Sequence, residues 1–323
     1  MHDGNDSSPC TATFLSALCG LVSDGYLAAP IRPGDEAEHG QTTDTSAFLN
    51  GYAPADDAAG VVPVADFRFE GRLKSEYVHY EADTYSGGIW THEAGIDYIW
   101  NEQLLIGIVG RYDTGEVDIT TPINTPGTFL GEGVTLGLRA GTLLGFGMTL
   151  DGNISHTWLE YESVAGLFSG ATQASRLDAS INLAGAYDIG DQVSIEPNVR
   201  YSYTREAQDA FRFLSGVPVA RSVTSAGAIG AGTLLRYTSE QTDGSSWSVY
   251  ASAHADYDFA LMKGTSSTPF QSLDDIWSAR LGLGGYGSFA NGITVYLEGE
   301  ADRLGADAYT RYTGTARVSV PLN

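Results

Sequence analysis

The sequence lacks long apolar runs and contains little lysine and little cysteine. No stretch of about 18 apolar residues occurs, which excludes a transmembrane helix. Lys74 and Lys263 are the only lysines, and 40 acidic residues against 17 basic ones give a net charge of −23. Such acidity makes nucleic acid an improbable partner. Cys10 and Cys19 allow a small disulfide at most, and a zinc site would need ligands that are not nearby.

What the chain does contain is a period-two alternation of apolar and polar residues between residues 66 and 320. Its first instance sets Phe67, Phe69 and Leu73 against Arg68 and Glu70. The pattern recurs about twelve times, over about ten residues or more each time, whereas strands of soluble proteins average about five or six residues. The alternation therefore predicts long amphipathic β-strands.

The links between these strands alternate in length. Short links are predicted at residues 100–102, 144–146, 190–191, 242–244 and 291–292, and longer polar ones at residues 120–128, 163–171, 208–220 and 263–274. Short turns on one side and long loops on the other are typical of an outer-membrane β-barrel. We therefore predict an all-β fold, a single-chain transmembrane antiparallel β-barrel of about 12 strands. The barrel spans residues 66–323, and residues 1–65 form an irregular N-terminal extension or linker.

One face of the predicted strands is apolar and rich in aromatic residues. Trp90 and Trp100 lie ten residues apart on this face, which is roughly 25 Å along the membrane normal at a tilt of about 40°. That is about the height of the apolar band of a membrane barrel. The predicted membrane-interface aromatics are Trp90, Tyr98, Trp100, Tyr112, Trp158, Tyr201, Tyr203, Trp247, Tyr257 and Trp277.

The opposite face carries charges of both signs and cannot be a dry core. We expect it to surround a wet pore, or one filled by polar chain. The charges either pair across the pore or hold a substrate or an internal segment. The predicted pore-lining residues are Arg68, Glu70, Arg72, Lys74, Glu93, Asp97, Arg111, Arg139, Glu196, Arg200, Arg236, His254, Asp256, Arg280, Glu298 and Glu300.

Three phrases within these strands resemble the translocator domain of autotransporters, the type V secretion family. They are Gly-Ile-Asp-Tyr at residues 95–98, Leu-Leu-Ile-Gly-Ile at residues 104–108 and the stretch at residues 193–201. The resemblance covers residues 66–323. It implies an outer-membrane barrel of a Gram-negative bacterium that exports or anchors an N-terminal passenger at the cell surface. The chain departs from the family in its short N-terminal segment and in its ending, Pro-Leu-Asn.

This resemblance also implies partners. They are outer-membrane lipid and lipopolysaccharide, the barrel-assembly machinery, and the chain's own N-terminal passenger segment. An even number of strands places both barrel ends on the periplasmic side, so residues 1–65 either stay there or thread through the pore. The weak signal-like character of the N-terminus leads us to expect that the chain is a mature fragment or has an upstream start. The alternative function is a stand-alone porin-like or surface-binding barrel.

Catalytic chemistry receives little support from the sequence. His254 and Asp256 share one strand face, as the base and orienting group of a hydrolase would, but such a pair arises easily in a charged strand. No group of histidines has the spacing of a metal site. We therefore predict no catalytic residues, no metal and no cofactor.

Overall fold

In the computed structural model, the described residues are 67–81, 85–101, 103–120, 126–164, 169–264, 276–305 and 310–322. The predictions for residues 1–65, Cys10 and Cys19 among them, lie outside these ranges. The strands are β1 (Phe67–Glu81), β2 (Tyr85–Trp100), β3 (Leu104–Thr120), β4 (Pro126–Gly145), β5 (Met148–Val164), β6 (Gly170–Gly185), β7 (Tyr187–Gly190), β8 (Val193–Gln208), β9 (Phe211–Arg212), β10 (Pro218–Val219), β11 (Ser222–Glu240), β12 (Ser246–Gly264), β13 (Ile276–Ser288), β14 (Thr294–Leu304) and β15 (Thr310–Pro321).

Twelve long strands of the described chain form one closed antiparallel barrel, which confirms the predicted fold class. Each wall strand pairs with its neighbours in chain order, and β8 pairs directly with β11. The barrel closes where β1 pairs with β15, from Glu70 opposite Pro321 to Glu81 opposite Thr310. β7 continues β6 beyond Ala186, and β9 and β10 form a small hairpin in the link between β8 and β11.

Alternation along the strands places apolar side chains on the outer face of the barrel and charged side chains on the inner face, the reverse of a soluble protein. Leu73 and Leu283 on the outer face are 65% and 70% exposed, whereas Asp97 and Arg176 on the inner face are each 1% exposed. A soluble protein buries its leucines, so this arrangement requires an apolar solvent outside and a polar interior. The closed wall pairs its backbone groups between strands, as lipid demands. Among the described residues we find no helix of the length and apolarity that crossing a membrane requires.

The short links all lie at one end of the barrel, which we call the turn side. The longer links lie at the opposite end, which we call the loop side. Turn-side links are tight because their backbones adopt positive φ, at Phe146 (55°) and Gly292 (82°) for example. In the link after β11, the Ser245 hydroxyl and backbone N–H donate to Asp243 and lower the pKa of its carboxyl group.

Two loop-side links are shorter than the sequence indicated. The predicted loops at residues 120–128 and 163–171 are partly strand, because Thr120 pairs with Pro126 and Ser163 pairs with Gly170. The strands thus continue past the level of the aromatic side chains. The two longest links between wall strands are at residues 209–221, which include β9 and β10, and at residues 265–275.

Pro197 lies within β8, where a missing N–H is costly. It pairs with Thr233 of β11, but the pairing of β8 with β6 ends at Asn198 and resumes with β7 at Ile195. The proline therefore coincides with the break between β6 and β7. This break is how the wall accommodates a residue that cannot donate to the ladder.

Candidate functional site: the barrel lumen

All the residues predicted to line the pore lie on the inward-facing positions of the wall, and none is exposed. The buried ones are Arg72, Lys74, Glu93, Asp97, Glu196, Arg200, Arg236, Asp256 and Arg280; the half-buried ones are Arg68, Glu70, Arg111, Arg139, His254, Glu298 and Glu300. Their position follows from the side-chain period of two, because every second residue of a barrel strand faces inward.

Ion pairs link neighbouring strands around the inner wall. Arg236 and Glu196 form a bidentate ion pair, with Nε 2.7 Å from Oε1 and Nη2 3.1 Å from Oε2. Arg72 Nη2 lies 2.7 Å from Glu93 Oε1. Paired charges of this kind satisfy each other where the wall excludes water. At these places, neighbouring strands of the inner wall carry charges of opposite sign.

Two of the ion pairs that bridge across an intervening strand have a glycine between the partners. Gly107 is opposite Asp97 on one side and Arg139 on the other, and Arg139 Nε donates to Asp97 Oδ1 at 2.7 Å. The position where Gly107 would carry a Cβ lies 2.0 Å from that same oxygen. Because glycine leaves this space open, side chains two strands apart can meet.

The second bridge repeats this arrangement on the other side of the barrel. Gly230 lies between Arg200 and Asp256, and Arg200 Nη2 donates to Asp256 Oδ1 at 2.9 Å. A Cβ at Gly230 would lie 2.0 Å from that oxygen. The two cases define an acid–glycine–arginine bridge as a recurring unit of this wall.

The possible catalytic pair of His254 and Asp256 is not assembled. Asp256 Oδ2 lies 3.3 Å from Arg280 Nη2, so arginines contact both of its oxygens. The His254 ring nitrogen Nε2 lies 3.1 Å from Asn198 Nδ2. The carboxylate is thus used to neutralise two arginines rather than to orient the imidazole.

Several luminal groups lie outside the predicted pore-lining set. Arg176 Nε lies 3.3 Å from Asp178 Oδ2, and Tyr161 donates to Glu206 at 3.1 Å. On β15, the Arg317 guanidinium lies 4.5 Å from the centre of the Tyr296 ring. The period-two pattern, carried to the loop-side ends of β5, β6 and β8 and along β15, would have found these residues. The buried luminal residues outside the predicted set are Glu76, Asp113, Asp151, Tyr161, Arg176, Asp178, Glu206, Tyr296, Asp302, Arg303, Arg311 and Arg317.

Aromatic side chains gather at both ends of the outer face. On the turn side, the rings of Tyr237 and Trp247 have centroids 5.7 Å apart. On the loop side, the corresponding distance between Tyr77 and Trp90 is 4.8 Å. The predicted interface aromatics all occupy outward positions; Trp90, Trp100, Tyr112, Trp158, Tyr201, Trp247 and Trp277 are exposed, and Tyr98, Tyr203 and Tyr257 are half-buried.

Within the described ranges, no group of three or more histidine, cysteine or acidic side chains is arranged to hold a metal ion. The inner wall instead carries ion pairs and hydroxyl contacts, such as Thr135 with Thr157 at 2.8 Å, beside a smaller apolar cluster that includes Phe129 and Leu159. Chemically, this arrangement offers a polar passage with alternating charge.

An apolar outer face, a charged inner face and a closed antiparallel wall define the class of outer-membrane β-barrels. The sequence profile of the family described as Autotransporter beta-domain matches residues 69–300. The chain therefore belongs to the autotransporter β-domain family, which confirms the resemblance noted in the sequence.

Solved structures agree on the fold. The β-domain of the Bordetella autotransporter BrkA is similar with a TM-score of 0.64 and 17% identity, over 79% of this chain and 99% of that one. The translocator domain of NalP from Neisseria meningitidis has a TM-score of 0.61 and 14% identity, covering 79% and 88% of the two chains. The transport unit of AIDA-I from Escherichia coli has a TM-score of 0.56 and 10% identity, covering 90% and 99%. A search among curated proteins found no match by sequence.

Proposed function

We propose that this chain is the outer-membrane translocator barrel of an autotransporter, which exports or anchors an N-terminal passenger at the surface of a Gram-negative bacterium. The observation that carries the proposal is a closed barrel of this family whose inner wall carries ion pairs, such as Arg72 with Glu93 and Arg236 with Glu196. A polypeptide in transit needs a wall that does not repel it by a single sign of charge. Paired charges of both signs meet that need.

The size of the barrel also suits one polypeptide. With strands about 4.8 Å apart and tilted by about 40°, twelve strands enclose a barrel about 24 Å across between backbones. The inward side chains fill much of this width, since Asp97 and Arg176 are each 1% exposed. The barrel therefore has room for no more than a single helix or an extended chain.

Topology determines where such a chain would enter. Phe67 at the start of β1 lies opposite Trp100, which borders a turn-side link, and Leu322 N–H donates to Phe69 at the same end. Chain that precedes β1 thus starts on the turn side and can reach the loop side through the lumen. We assign residues 1–65 as a passenger remnant or pore segment, with the turn side in the periplasm and the longer loops at the cell surface.

The remaining assignments follow from this location. The outward aromatics would contact outer-membrane lipid and lipopolysaccharide, and the barrel-assembly machinery would insert the strands. The predicted pore-lining residues would face the passing chain. We assign no catalytic role to His254, because Asp256 is engaged by Arg200 and Arg280.

An epitope tag inserted after Asn5 tests the proposal on intact cells, with antibody labelling and external protease as the measurements. We expect the tag to be labelled and cleaved from outside, as a tag inserted after Ser215 in the loop-side hairpin should be. A tag inserted after Asn291 in a turn-side link should become accessible only when the outer membrane is opened. If the Asn5 tag behaves like the Asn291 tag, the translocator function is wrong and the porin-like alternative replaces it.

A further inference from the structure

Within the described ranges, exposed positive charge is confined to one flank of the barrel. Among the side chains that the structure describes, the exposed cations are Arg205 on β8, Arg212 on β9 and Arg221 immediately before β11. The other described cations belong to the inner wall or are covered. All three exposed arginines lie at the loop-side end, where the pairing of β8 with β11 finishes with Gln208 opposite Ser222. We call this set the arginine flank.

The outer face of the preceding strands carries the opposite charge at the same level. Its exposed acids are Glu81 on β1, Glu116 and Asp118 on β3, Glu132 on β4, and Glu160 and Glu162 on β5. Glu132 and Glu160 are direct cross-strand partners, a placement that like charges normally avoid. On the arginine flank, the exposed described acid is Asp209, next to the β9 and β10 hairpin. The described part of the loop-side rim is therefore divided into an acidic and a basic half.

Both halves sit at the height of a membrane surface. Arg205 lies two residues beyond Tyr203, and Glu160 lies two residues beyond Trp158, which places each charge about 6.6 Å further along its strand than an interfacial aromatic. Beneath Arg205, Tyr203 and Phe259 flank Gly227 across β11. Leu214 at the tip of the hairpin is 79% exposed. The arginine flank thus combines cations above with apolar and aromatic groups below.

We propose that the arginine flank binds the phosphate groups of a phosphorylated glycolipid in the loop-side leaflet of the membrane. Guanidinium groups bind phosphate through paired N–H donors, and the aromatic and apolar groups beneath them match the acyl region. The acidic half would exclude the same headgroups, so the lipid is held on one side of the barrel. This inference rests on the proposed outer-membrane location, because that leaflet is where such a lipid occurs.

The test measures binding of diphosphorylated lipid A to the full chain folded in detergent micelles, by native mass spectrometry and titration. The same glycolipid without its phosphates serves as the reference ligand. The variant combines Arg205→Gln, Arg212→Gln and Arg221→Gln. The matched control combines Glu116→Gln, Glu160→Gln and Glu162→Gln, which neutralises as many exposed charges on the acidic half.

We expect the arginine variant to bind lipid A about 150-fold more weakly, since each cation near an anionic lipid surface contributes about 5.4-fold. The control should bind as well as the native chain or better. Equal binding by the native chain and the arginine variant would overturn the proposal, as would equal binding of the phosphate-free glycolipid. Displacement of lipid A by millimolar inorganic phosphate would show that the flank is a general anion site, and would also overturn the proposal.

Folding of each variant is checked by its resistance to SDS without heating. If the triple variant does not fold, Arg212→Gln with Arg221→Gln is used, because both residues lie outside the twelve wall strands; a loss of about 30-fold is then expected. The binding measurement uses purified protein and is independent of the tag experiment. Lipid binding without surface display would reject the translocator function alone, and surface display without lipid binding would reject this inference alone.

Discussion

Outward side chains of this wall face an apolar solvent, and inward side chains face a polar interior. Ion pairing offsets the cost of burying the inward charges. Arg236 and Glu196 are each buried to about nine-tenths, with side-chain exposures of 10% and 7%, and they form two contacts with one another. A charge left alone in such a place keeps its desolvation cost without the compensating attraction. Each inner-wall arginine should therefore depend on its acid, and each acid on its arginine.

A double-mutant cycle on this pair measures the dependence. We expect Glu196→Gln and Arg236→Met each to lower the free energy of unfolding by about 3 kcal/mol, because each leaves one buried charge without its partner. The double variant should lose much less than the sum. The measurement is denaturant unfolding of the barrel in detergent micelles. As a control, Glu81→Gln removes the exposed contact with His79 and should cost about 0.5 kcal/mol or less. Additive losses at Glu196 and Arg236 would show that the pair is not coupled.

Which side of the wall each residue faces could be predicted from the sequence, but which residues meet could not. The period of two placed Asp97 and Arg139 on the inner face without any knowledge of register. Their contact, across β3, depends on how β2, β3 and β4 are aligned, and on Gly107 lying between them. Register is a property of pairing between strands, whereas alternation is a property of one strand.

At the scale of the element, glycine acts as a spacer that lets side chains of alternate strands meet. Gly230 leaves the gap through which Arg200 reaches Asp256. Strand boundaries, by contrast, were predicted less well, since the alternation does not reveal that β4 and β6 begin several residues before the apolar band. The break between β6 and β7 was also not predicted, although Pro197 marked the place where a strand ladder would be interrupted.

The spacer role predicts a specific effect of adding one methyl group. Gly230→Ala places a Cβ 2.0 Å from Asp256 Oδ1, so the carboxylate must move away from Arg200. We expect a loss of about 1–3 kcal/mol in the free energy of unfolding, the usual cost of overpacking. Gly110→Ala on β3 is the matched control, because nothing lies within 4 Å of its added Cβ. The same unfolding experiment compares the two, and equal stability of both variants would contradict the role assigned to Gly230.

At the scale of the whole molecule, closure is the property on which everything else depends. The chain joins its first and last wall strands through twelve residue pairs between β1 and β15. No other part of the described wall could replace them, because every other wall strand already has two neighbours. An open sheet would expose two edges of unpaired backbone groups to lipid, where each unsatisfied group costs several kcal/mol.

Removal of residues 310–323 should therefore abolish folding, although it deletes none of the long loops. We expect this variant to lack the SDS-resistant form and to be degraded or aggregated in cells. The matched control replaces residues 210–220 with a Gly-Ser linker of similar length. That change removes β9 and β10 but leaves the pairing of β8 with β11 intact up to Gln208 and Ser222. The control should fold and insert like the native chain. If both variants fold, the β1 to β15 seam is dispensable; if both fail, the hairpin is part of the folding unit, and the wall alone does not account for stability.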